Sequence, residues 1–343
     1  MTLFFLVIEV IYMSFNQFIL KEQYLKVSGL GDRLKLIKEQ ISWEPFRPLV
    51  ASVFYDNKET GGRPHTDEVI VVRAMLLQSF YGLSDQELEF QVNDRLSFRN
   101  FLGFPENIPD FTTIWKIRER LIQARIEPKI WGELQRQLDQ NGYAIKKGVI
   151  QDATFVESEL GRKRYYKEKK AKDRGEKIEY TEKQQQHIDK DATFSIKHGQ
   201  VHFGYKNHIK LDVGNELIRE FEVSTASLHD GQIDLVKKGD SKAYRDKGYF
   251  GKKLKAKDVK DRTMVRGTRG HQLNKTEVKK NKAISKIRAP GERPFAVIKN
   301  IFNGTKTRVK TLVRVSIKEM FKCFAFNLYQ LVTLKRKKLA IAI

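Results

Sequence analysis

Three acidic residues stand far apart in this strongly basic chain, and their carboxylates could bind divalent metal ions: Asp152, Asp246 and Glu292. Three carboxylates can hold two divalent metals, and such a pair promotes in-line displacement at a phosphodiester by stabilising the attacking and the leaving oxygen. The formal net charge of +23 favours a polyanionic partner. These residues therefore lead to the hypothesis of a nuclease or strand-transfer enzyme.

The setting of Asp152 and Asp246 gives each a functional and a structural interpretation. Asp152 lies in the apolar stretch Val149–Phe155, which predicts a strand, and a carboxylate there is costly unless it is paired or ligates a metal. Asp246 precedes Lys247-Gly248-Tyr249, where glycine allows a sharp turn that leaves the carboxylate at a strand's end. In open α/β sheets the carboxyl ends of strands face the ligand crevice. Ordinary turn residues remain the alternative for both.

Glu292 follows Pro290-Gly291, a pair that predicts the entry of an apolar helix. The helix dipole favours an acid at this position, so a helix-capping role is the alternative to metal binding. Arg288 and Lys299 flank Glu292. Their charges suit contacts with phosphates beside the metals, or equally a solvated surface.

His229 and Asp230 form a fourth candidate, which the sequence favours less. They precede the segment Gln232–Lys238, whose pattern predicts a helix, so Asp230 could simply be its cap. The remaining histidines show no zinc-binding spacing, and the chain has no Gly-x-x-x-x-Gly-Lys-Ser/Thr phosphate loop. The sequence therefore gives no sign of an ATP site.

The composition limits the class of protein. The 343 residues suffice for two domains, and 65 Lys and Arg residues outnumber 42 acids. Nucleic acid is the first partner this indicates; a merely soluble basic protein and an anionic membrane surface are the alternatives. Cys323 is the only cysteine, which excludes a disulfide within the chain and a cysteine-rich zinc site. A reducing cytoplasm fits.

The first half of the chain predicts helices. Residues 14–145 have apolar positions at helical spacing, and Glu68–Tyr81 is the clearest case, with Gly82 as its stop. Ser84 with Glu87 predicts a capped helix, and another starts at Thr112-Thr113. One further helical face is predicted from Leu25, Leu30, Leu34, Leu36 and Ile37. A turn is expected at Gly61-Gly62-Arg63-Pro64.

The pattern changes at Lys146 to that of an α/β domain. Phe203–Val213 and Leu217–Ser224 alternate like paired strands around a turn at Gly214-Asn215. Short strands are predicted at Ala243–Asp246 and 263–266, and helices at Phe295–Phe302 and Ile317–Leu334. Residues 162–190 are densely charged and almost free of aliphatic side chains, which predicts a solvated, mobile loop or a segment that orders on binding.

The N-terminal residues invite a signal-peptide or membrane interpretation, which the pattern does not favour. The apolar run 2–8 has no basic residue before it, Glu9 interrupts it, and it is too short to span a membrane. We expect residues 1–13 to be a spurious extension, with translation starting at Met13.

Taken together, these motifs resemble the DDE transposases of bacterial insertion sequences, most closely the insertion sequence 5 family, over residues 20–335. In the first half the similar segments are Gly62-Arg63-Pro64, Tyr81-Gly82-Leu83-Ser84-Asp85, Asn93-Asp94-Arg95, Ser97-Phe98-Arg99 and 108–113. In the second half they are 152–154, Phe203-Gly204-Tyr205-Lys206, 227–230, 246–249 and Arg288-x-x-x-Glu292 followed by Lys299. Ser285 stands where the wider signature has a tyrosine.

The resemblance implies a ribonuclease H-like catalytic domain, a mixed sheet flanked by helices, preceded by an all-helical domain. The implied boundaries are a helical DNA-binding domain at 14–145, a catalytic domain at 146–335 with the charged insertion 162–190, and a tail at 336–343. The implied catalytic and metal-binding residues are Asp152, Asp246 and Glu292, and the supporting, phosphate-contacting residues are Arg288, Lys299 and Lys247.

The same resemblance implies two Mg²⁺ ions, for which Mn²⁺ can substitute, and DNA as the partner, both as terminal inverted repeats and as target. A homodimer or higher oligomer on DNA, no membrane association, and a bacterial cytoplasmic, nucleoid-associated location follow. Two other functions remain open: a catalytically decayed DNA-binding protein and a general ribonuclease H-like nuclease.

Overall fold

The structure is a computed structural model that describes residues 14–54, 65–176, 178–197 and 199–341. The predictions for the extension 1–13 and for the turn at Gly61-Gly62-Arg63-Pro64 lie outside these residues. The chain divides into two compact units. One consists of the described parts of Met1–Glu133 and Leu331–Ile343, and the other is Leu134–Gln330.

The first unit is helical, as predicted. Its described helices are α1 (Phe15–Gly29), α2 (Arg33–Lys38), α3 (Arg47–Ala51), α4 (Glu68–Tyr81), α5 (Asp85–Asp94), α6 (Leu96–Leu102) and α7 (Phe111–Gln123), and α8 (Glu127–Gln140) leads into the second unit. Gly82 ends α4 in the left-handed conformation, with φ of 62°. Ser84 caps α5 by accepting a hydrogen bond from Glu87 N at 3.1 Å, and Asp110 caps α7. These predicted ends are confirmed.

The predicted single helical face from Leu25 to Ile37 is wrong. The helical conformation is interrupted between α1 and α2, because Gly31 adopts φ of +90° and Asp32 caps the second helix. Leu34 and Ile37 are buried, whereas Leu25 is 61% exposed and Leu30 is 89% exposed. The regular spacing therefore spans two helices, and only the second buries its leucine face.

The second unit is built on a mixed sheet of seven described strands. They are β1 (Val149–Ser158), β2 (Thr193–Lys197), β3 (Gln200–Asp212), β4 (Ile218–Thr225), β5 (Lys242–Arg245), β6 (Lys260–Thr263) and β7 (Lys306–Thr307). The strand order is β2-β3-β1-β5-β6, while β4 also pairs with β3 and β7 with β1. β1 is antiparallel to β3 and parallel to β5. The predicted hairpin corresponds to β3 and β4 and is confirmed.

Helices flank this sheet. They are α9 (Arg162–Asp173), α10 (Glu182–Gln186), α11 (Lys275–Arg288), α12 (Arg293–Ala296) and α13 (Leu312–Ile341). The prediction of a ribonuclease H-like fold behind a helical region is confirmed. β1 runs three residues beyond its predicted end at Phe155, and β6 lies three residues before the predicted 263–266.

Two local predictions in this unit are wrong. The segment 162–190, predicted as a loop, contains α9 and α10; its charged residues are good helix formers, and Arg164 and Glu168 pair one turn apart in α9. Gln232–Lys238 is extended after a short 3₁₀ turn, Asp230–Gln232. The Gln151 side chain holds this backbone extended: it donates to Ile233 O at 2.7 Å and accepts from Leu235 N at 3.3 Å.

The core of the sheet packs against α13. Tyr205, Val156 and Val315 are buried in one cluster, and Asn207 of β3 donates to Glu319 Oε2 of α13 at 3.0 Å. α13 covers this face of the sheet. The alternate β3 residues, Lys206, His208 and Lys210, therefore lie on the opposite face. In the described part of the chain, no helix has the length and apolarity needed to cross a membrane.

Candidate active site

Asp152 lies in the middle of the sheet, at a half-buried position on β1. Its Oδ1 accepts a hydrogen bond from Ala153 N at 2.9 Å, and its Oδ2 lies 2.7 Å from Nη2 of Arg288. Burial raises the pKa of Asp152 to about 6; Arg288 and the Ala153 N–H oppose this, and Asp246 adds to it. The carboxylate is thus held in surroundings that, taken together, disfavour its charge.

Asp246 comes directly after β5, at the predicted strand end. The parallel register pairs Gln151 with Arg245, and Asp152 and Asp246 are the next residues of the chain after this pair. The charge of Asp246 adds to the burial that raises the pKa of Asp152, so the two carboxylates are close enough to interact. Asp246 caps a 3₁₀ turn, Lys247–Tyr249, by accepting from Gly248 N at 2.8 Å. The sheet therefore brings two of the three predicted carboxylates together.

Glu292 is on the neighbouring layer. It ends the 3₁₀ turn Ala289–Glu292 between α11 and α12, and its side chain is exposed. The turn itself packs on β1, since a Cβ at Gly291 would lie 2.9 Å from Cγ2 of Ile150. Within the described residues, no three His, Cys, Asp or Glu side chains are arranged as a metal site. The structure thus places the turn that carries Glu292 against β1, whereas the Glu292 side chain is exposed.

The three predicted supporting cations occupy different places. Arg288, at the end of α11, is paired with Asp152 rather than directed to solvent. Lys299 is half-buried; burial lowers its pKa, and Glu157 and Glu319 raise it. The carboxylates that act on Lys299 are therefore not those of the predicted metal-binding residues. Lys247 is exposed beside Asp246. Their roles as phosphate contacts stay predictions.

The less favoured pair, His229 and Asp230, is arranged differently from the expectation. His229 is the cap of the 3₁₀ turn, with Nδ1 accepting from Gly231 N at 3.1 Å, so the expectation that Asp230 caps a helix is wrong. Asp230 Oδ1 lies 2.8 Å from Nζ of Lys206, a nearly buried lysine of β3. Lys206 also donates to Leu228 O at 2.7 Å and lies over the ring of Phe155.

Sequence reasoning missed Lys206, which pairs with Asp230, and Tyr249, which is fully buried. Burial raises the pKa of Tyr249, and the charges of Asp230, Asp152 and Asp246 raise it further. Lys206 stands at a polar position of the alternation along β3, which predicts an exposed side chain, so no pattern in the sequence indicated its burial or its pairing with Asp230. Nothing in the sequence pointed to Tyr249, because its place depends on which turns meet.

His208 gives a testable pH dependence. It is fully buried, with Nε2 2.8 Å from Ser224 Oγ. Burial lowers its pKa to about 4, which outweighs the attraction of Asp230. The unfolded chain takes up the proton first as the pH falls, so stability present above about pH 6.5 should be lost progressively towards pH 4, by ~3 kcal/mol.

This prediction is checked by denaturant unfolding across that pH range for the wild type and His208→Gln, whose amide can replace Nε2. The variant should lose most of this part of the pH dependence. His271→Gln, at an exposed histidine, should keep it. Parallel curves for wild type and His208→Gln would contradict the assignment.

The donor set suits a hard divalent cation. Carboxylate oxygens are the ligands that Mg²⁺ and Mn²⁺ prefer. The charge of Asp246 raises the pKa of Asp152, and a cation between the two carboxylates would relieve that repulsion. Asp152 and Asp246 therefore fit a divalent metal, with Arg288 as the positive charge that Asp152 contacts in this structure.

Two families match the chain. "Transposase domain (DUF772)" matches residues 22–120, which lie in the helical unit. "Transposase DDE domain" matches residues 144–328, more than half of the chain and nearly the whole of the sheet-containing unit. No solved structure matches.

Proposed function

Because the chain belongs to the DDE transposases of insertion sequences, we propose that it binds the ends of its own element, cuts DNA there and joins the ends to a target. The observation that supports this proposal is the parallel pairing of β5 with β1, together with the effect of the Asp246 charge on Asp152. Membership in the insertion sequence 5 family is compatible with the matches and stays a prediction.

In this mechanism Asp152 and Asp246 would hold a divalent cation, and Glu292, from the turn that packs on β1, would complete the set. When bound, Mg²⁺ would polarise the scissile phosphate and stabilise charge on the oxygens that attack and leave. The residues of the chain itself would then hold the DNA in the orientation that direct displacement at the phosphate requires. Direct displacement needs no covalent protein intermediate, so no serine or tyrosine nucleophile is required.

Arg288 has a defined part in this scheme. Its Nη2 bond to Asp152 balances the charge of a carboxylate that burial would otherwise protonate. Arg288 ends α11 and Glu292 ends the next turn, so one segment of chain carries both residues, and this segment packs on β1 through Gly291. We propose that this segment keeps Asp152 ionised and brings Glu292 into reach.

The test is cleavage and joining of DNA that carries the inverted repeats flanking this gene, with Mg²⁺. Cutting at the repeat ends followed by joining supports a transposase. Cutting without joining would favour a general nuclease, and binding without cutting a decayed, DNA-binding relative. Equal rates for wild type and Glu292→Gln would remove Glu292 from the proposed set.

A row of lysines on α11 supports the DNA-binding part of the proposal. Four exposed lysines recur at intervals of four, three and four residues along one face: Lys275, Lys279, Lys282 and Lys286. At 1.5 Å per residue the row is roughly 16 Å long. It ends two residues before Arg288, which contacts Asp152. Arg288 projects from the opposite side of the helix, so we propose that DNA lies along this row on the outer face of α11.

Replacing these four lysines with alanine should reduce the affinity for DNA and its salt dependence. Each lost phosphate contact removes about 0.9 from the slope of log K against log salt, so we expect a decrease of about 2–4. Fluorescence anisotropy with a labelled duplex at several salt concentrations measures both quantities.

The matched control carries the same loss of charge on another exposed helix. Lys163, Lys167, Lys170 and Lys172 of α9 are replaced with alanine instead. An equal change of slope in both quadruple variants would mean that net charge, rather than the α11 row, determines binding.

The remaining assignments rest on the family and stay proposals. We propose that the helical domain at 14–145 recognises the element's ends and that the catalytic domain extends over 146–335. An oligomer on DNA and association with the bacterial nucleoid belong to the same proposal.

A further inference from the structure

A small cavity lies at the edge of the sheet, beside the turn that follows β5. Its volume is about 330 Å³, and its walls come from the segment after this turn, from the edge strand β6 and from α11. The lining includes Phe250, Lys252, Lys253, Asp261, Thr263 and Lys280. These residues belong to three separate segments of the chain, so only the tertiary structure assembles the cavity.

Arg245 holds the walls of this cavity in place. It is 1% exposed, and its guanidinium donates to Lys252 O at 2.8 Å, Asp261 Oδ2 at 2.7 Å and Thr263 Oγ1 at 2.9 Å. The same guanidinium lies over the ring of Tyr249, 5.6 Å from the ring centroid. One buried side chain thus joins the segment after the turn to β6, and the cavity is a fixed feature of the fold.

The lining carries an excess of positive charge. Lys252, Lys253 and Lys280 are exposed, and none of them pairs with a carboxylate in the part of the chain that the structure describes. Asp261 is the one carboxylate in the described lining. Its oxygens already accept hydrogen bonds from Arg245 and from Thr263 N. The cavity therefore suits an anionic ligand.

An aromatic side chain completes the lining. Phe250 is 43% exposed, and its ring contacts no other aromatic ring and no cation among the described residues. Sites for single-stranded nucleic acid combine these two features, because cationic side chains contact the phosphates and bases stack on aromatic rings. The pairing of Phe250 with three lysines thus indicates a ligand that carries a planar base and a phosphate.

The size of the cavity decides which form of DNA fits. A volume of 330 Å³ corresponds to a width of about 7 Å, too narrow for a duplex, whose major groove alone is about 12 Å wide. The volume lies at the lower end of the range of ligand pockets, ~300–1,000 Å³. A duplex would touch only the rim, whereas a single unpaired nucleotide can enter.

We propose that this cavity binds one unpaired nucleotide of a DNA strand. The base stacks on Phe250, and Lys252, Lys253 and Lys280 hold the phosphate. This inference rests on the proposed function, because cutting a duplex creates strand ends whose last nucleotides can separate. It adds to that function a contact for a single strand. The contact is distinct from the lysine row on α11, since Lys280 lies on another side of that helix.

The test is fluorescence anisotropy of the full-length protein, without divalent metal, with a labelled DNA hairpin that carries a single-stranded thymidine tail. The same hairpin with abasic units in its tail keeps the phosphates and lacks the bases. The wild type should bind the thymidine tail about tenfold more tightly than the abasic tail, the effect of one stacked base. Phe250→Ala should lose this preference and keep its affinity for the abasic tail.

Three further variants serve as controls. Phe250→Trp keeps an aromatic ring and should retain the preference for the thymidine tail. Ile196→Ala, at another exposed apolar residue of the sheet, should also retain it. Replacing Lys253 and Lys280 together with alanine should weaken the binding of both tails alike, because both tails carry the phosphates that these lysines contact.

The outcomes separate this inference from the proposed function. If the wild type cuts DNA and Phe250→Ala prefers the thymidine tail as the wild type does, the inference is wrong while the transposase activity stands. If no cutting is observed but the preference depends on Phe250, the inference stands without the proposed activity. Displacement of the tail by micromolar thymidine monophosphate would show a site for free nucleotides and would overturn the assignment to a DNA strand.

Discussion

Asp152→Asn is expected to lower the rate of Mg²⁺-dependent strand cleavage about a thousandfold, a loss of ~4 kcal/mol of transition-state stabilisation. Asparagine keeps the shape of the side chain and the bond from Ala153 N, but it removes the charge that Asp246 and Arg288 act on. The measurement is single-turnover cleavage of DNA carrying the element's ends.

The same substitution should leave the fold intact, which makes the loss of activity interpretable. Burial outweighs Arg288 and raises the pKa of Asp152 to about 6, so the surroundings favour a neutral side chain more than water does. The melting temperature of the metal-free variant is therefore expected to stay within a few degrees of the wild type. A carboxylate at a position that disfavours its charge is typical of a residue that serves function at the expense of stability.

The control is Asp173→Asn, at an exposed position of α9 outside the site. It removes the same charge and should cleave at the wild-type rate. Wild-type cleavage by Asp152→Asn would contradict the assignment of Asp152, and an unfolded Asp152→Asn protein would contradict the account of its pKa.

Gly204→Ala is expected to have the largest effect on stability, a loss of more than ~4 kcal/mol, equivalent to a fall of roughly 10 °C or more in melting temperature. Gly204 adopts φ of +142°, and a Cβ there would lie 2.3 Å from Val156 O and 2.7 Å from Ser158 N. Both atoms belong to the backbone of β1, opposite Gly204 in the β1–β3 ladder. Neither can move without separating the strand that carries Asp152.

Gly199→Ala separates the two causes. Gly199 also has a positive φ, +76°, but a Cβ there meets nothing within 4 Å. It should cost only the backbone strain, about 1 kcal/mol. Thermal unfolding of the two variants side by side measures the difference, and equal losses would show that strain rather than collision dominates at Gly204.

Gly204 also shows how a motif acquires a physical reason. In the sequence, Phe203-Gly204-Tyr205-Lys206 is only one of several short segments similar to the family. In the structure three of its members have separate roles, since Gly204 admits the neighbouring strand, Tyr205 donates to Asp189 at 2.7 Å, and Lys206 holds Asp230. Those partners are distant in the chain, so no local pattern could reveal them.

The sequence determined the local elements whose signals are short in range. Gly82 ends a helix because glycine tolerates the left-handed backbone, and the alternation after Phe203 gives a strand, although the structure buries both of its faces. Where competing signals were of similar strength, the sequence was misleading. The charged segment 162–190 contains two helices, because residues that suit a solvated surface are also good helix formers. Gln232–Lys238 is extended rather than helical because its backbone bonds to Gln151, more than eighty residues away in sequence.

The candidate site divides in the same way. The residue types and their order were enough to single out Asp152, Asp246 and Glu292 and to predict a transposase, and the matched families bear out the latter. Only the tertiary structure decided that Asp246 lies beside Asp152, that Arg288 pairs with Asp152, and that the carboxylate of Glu292 is exposed. It also paired Asp230 with Lys206 and set Arg245 over the ring of Tyr249. The physical reason is that the sequence gives the type of each side chain, whereas the charges and hydroxyls that surround it depend on strand register and on which turns pack together.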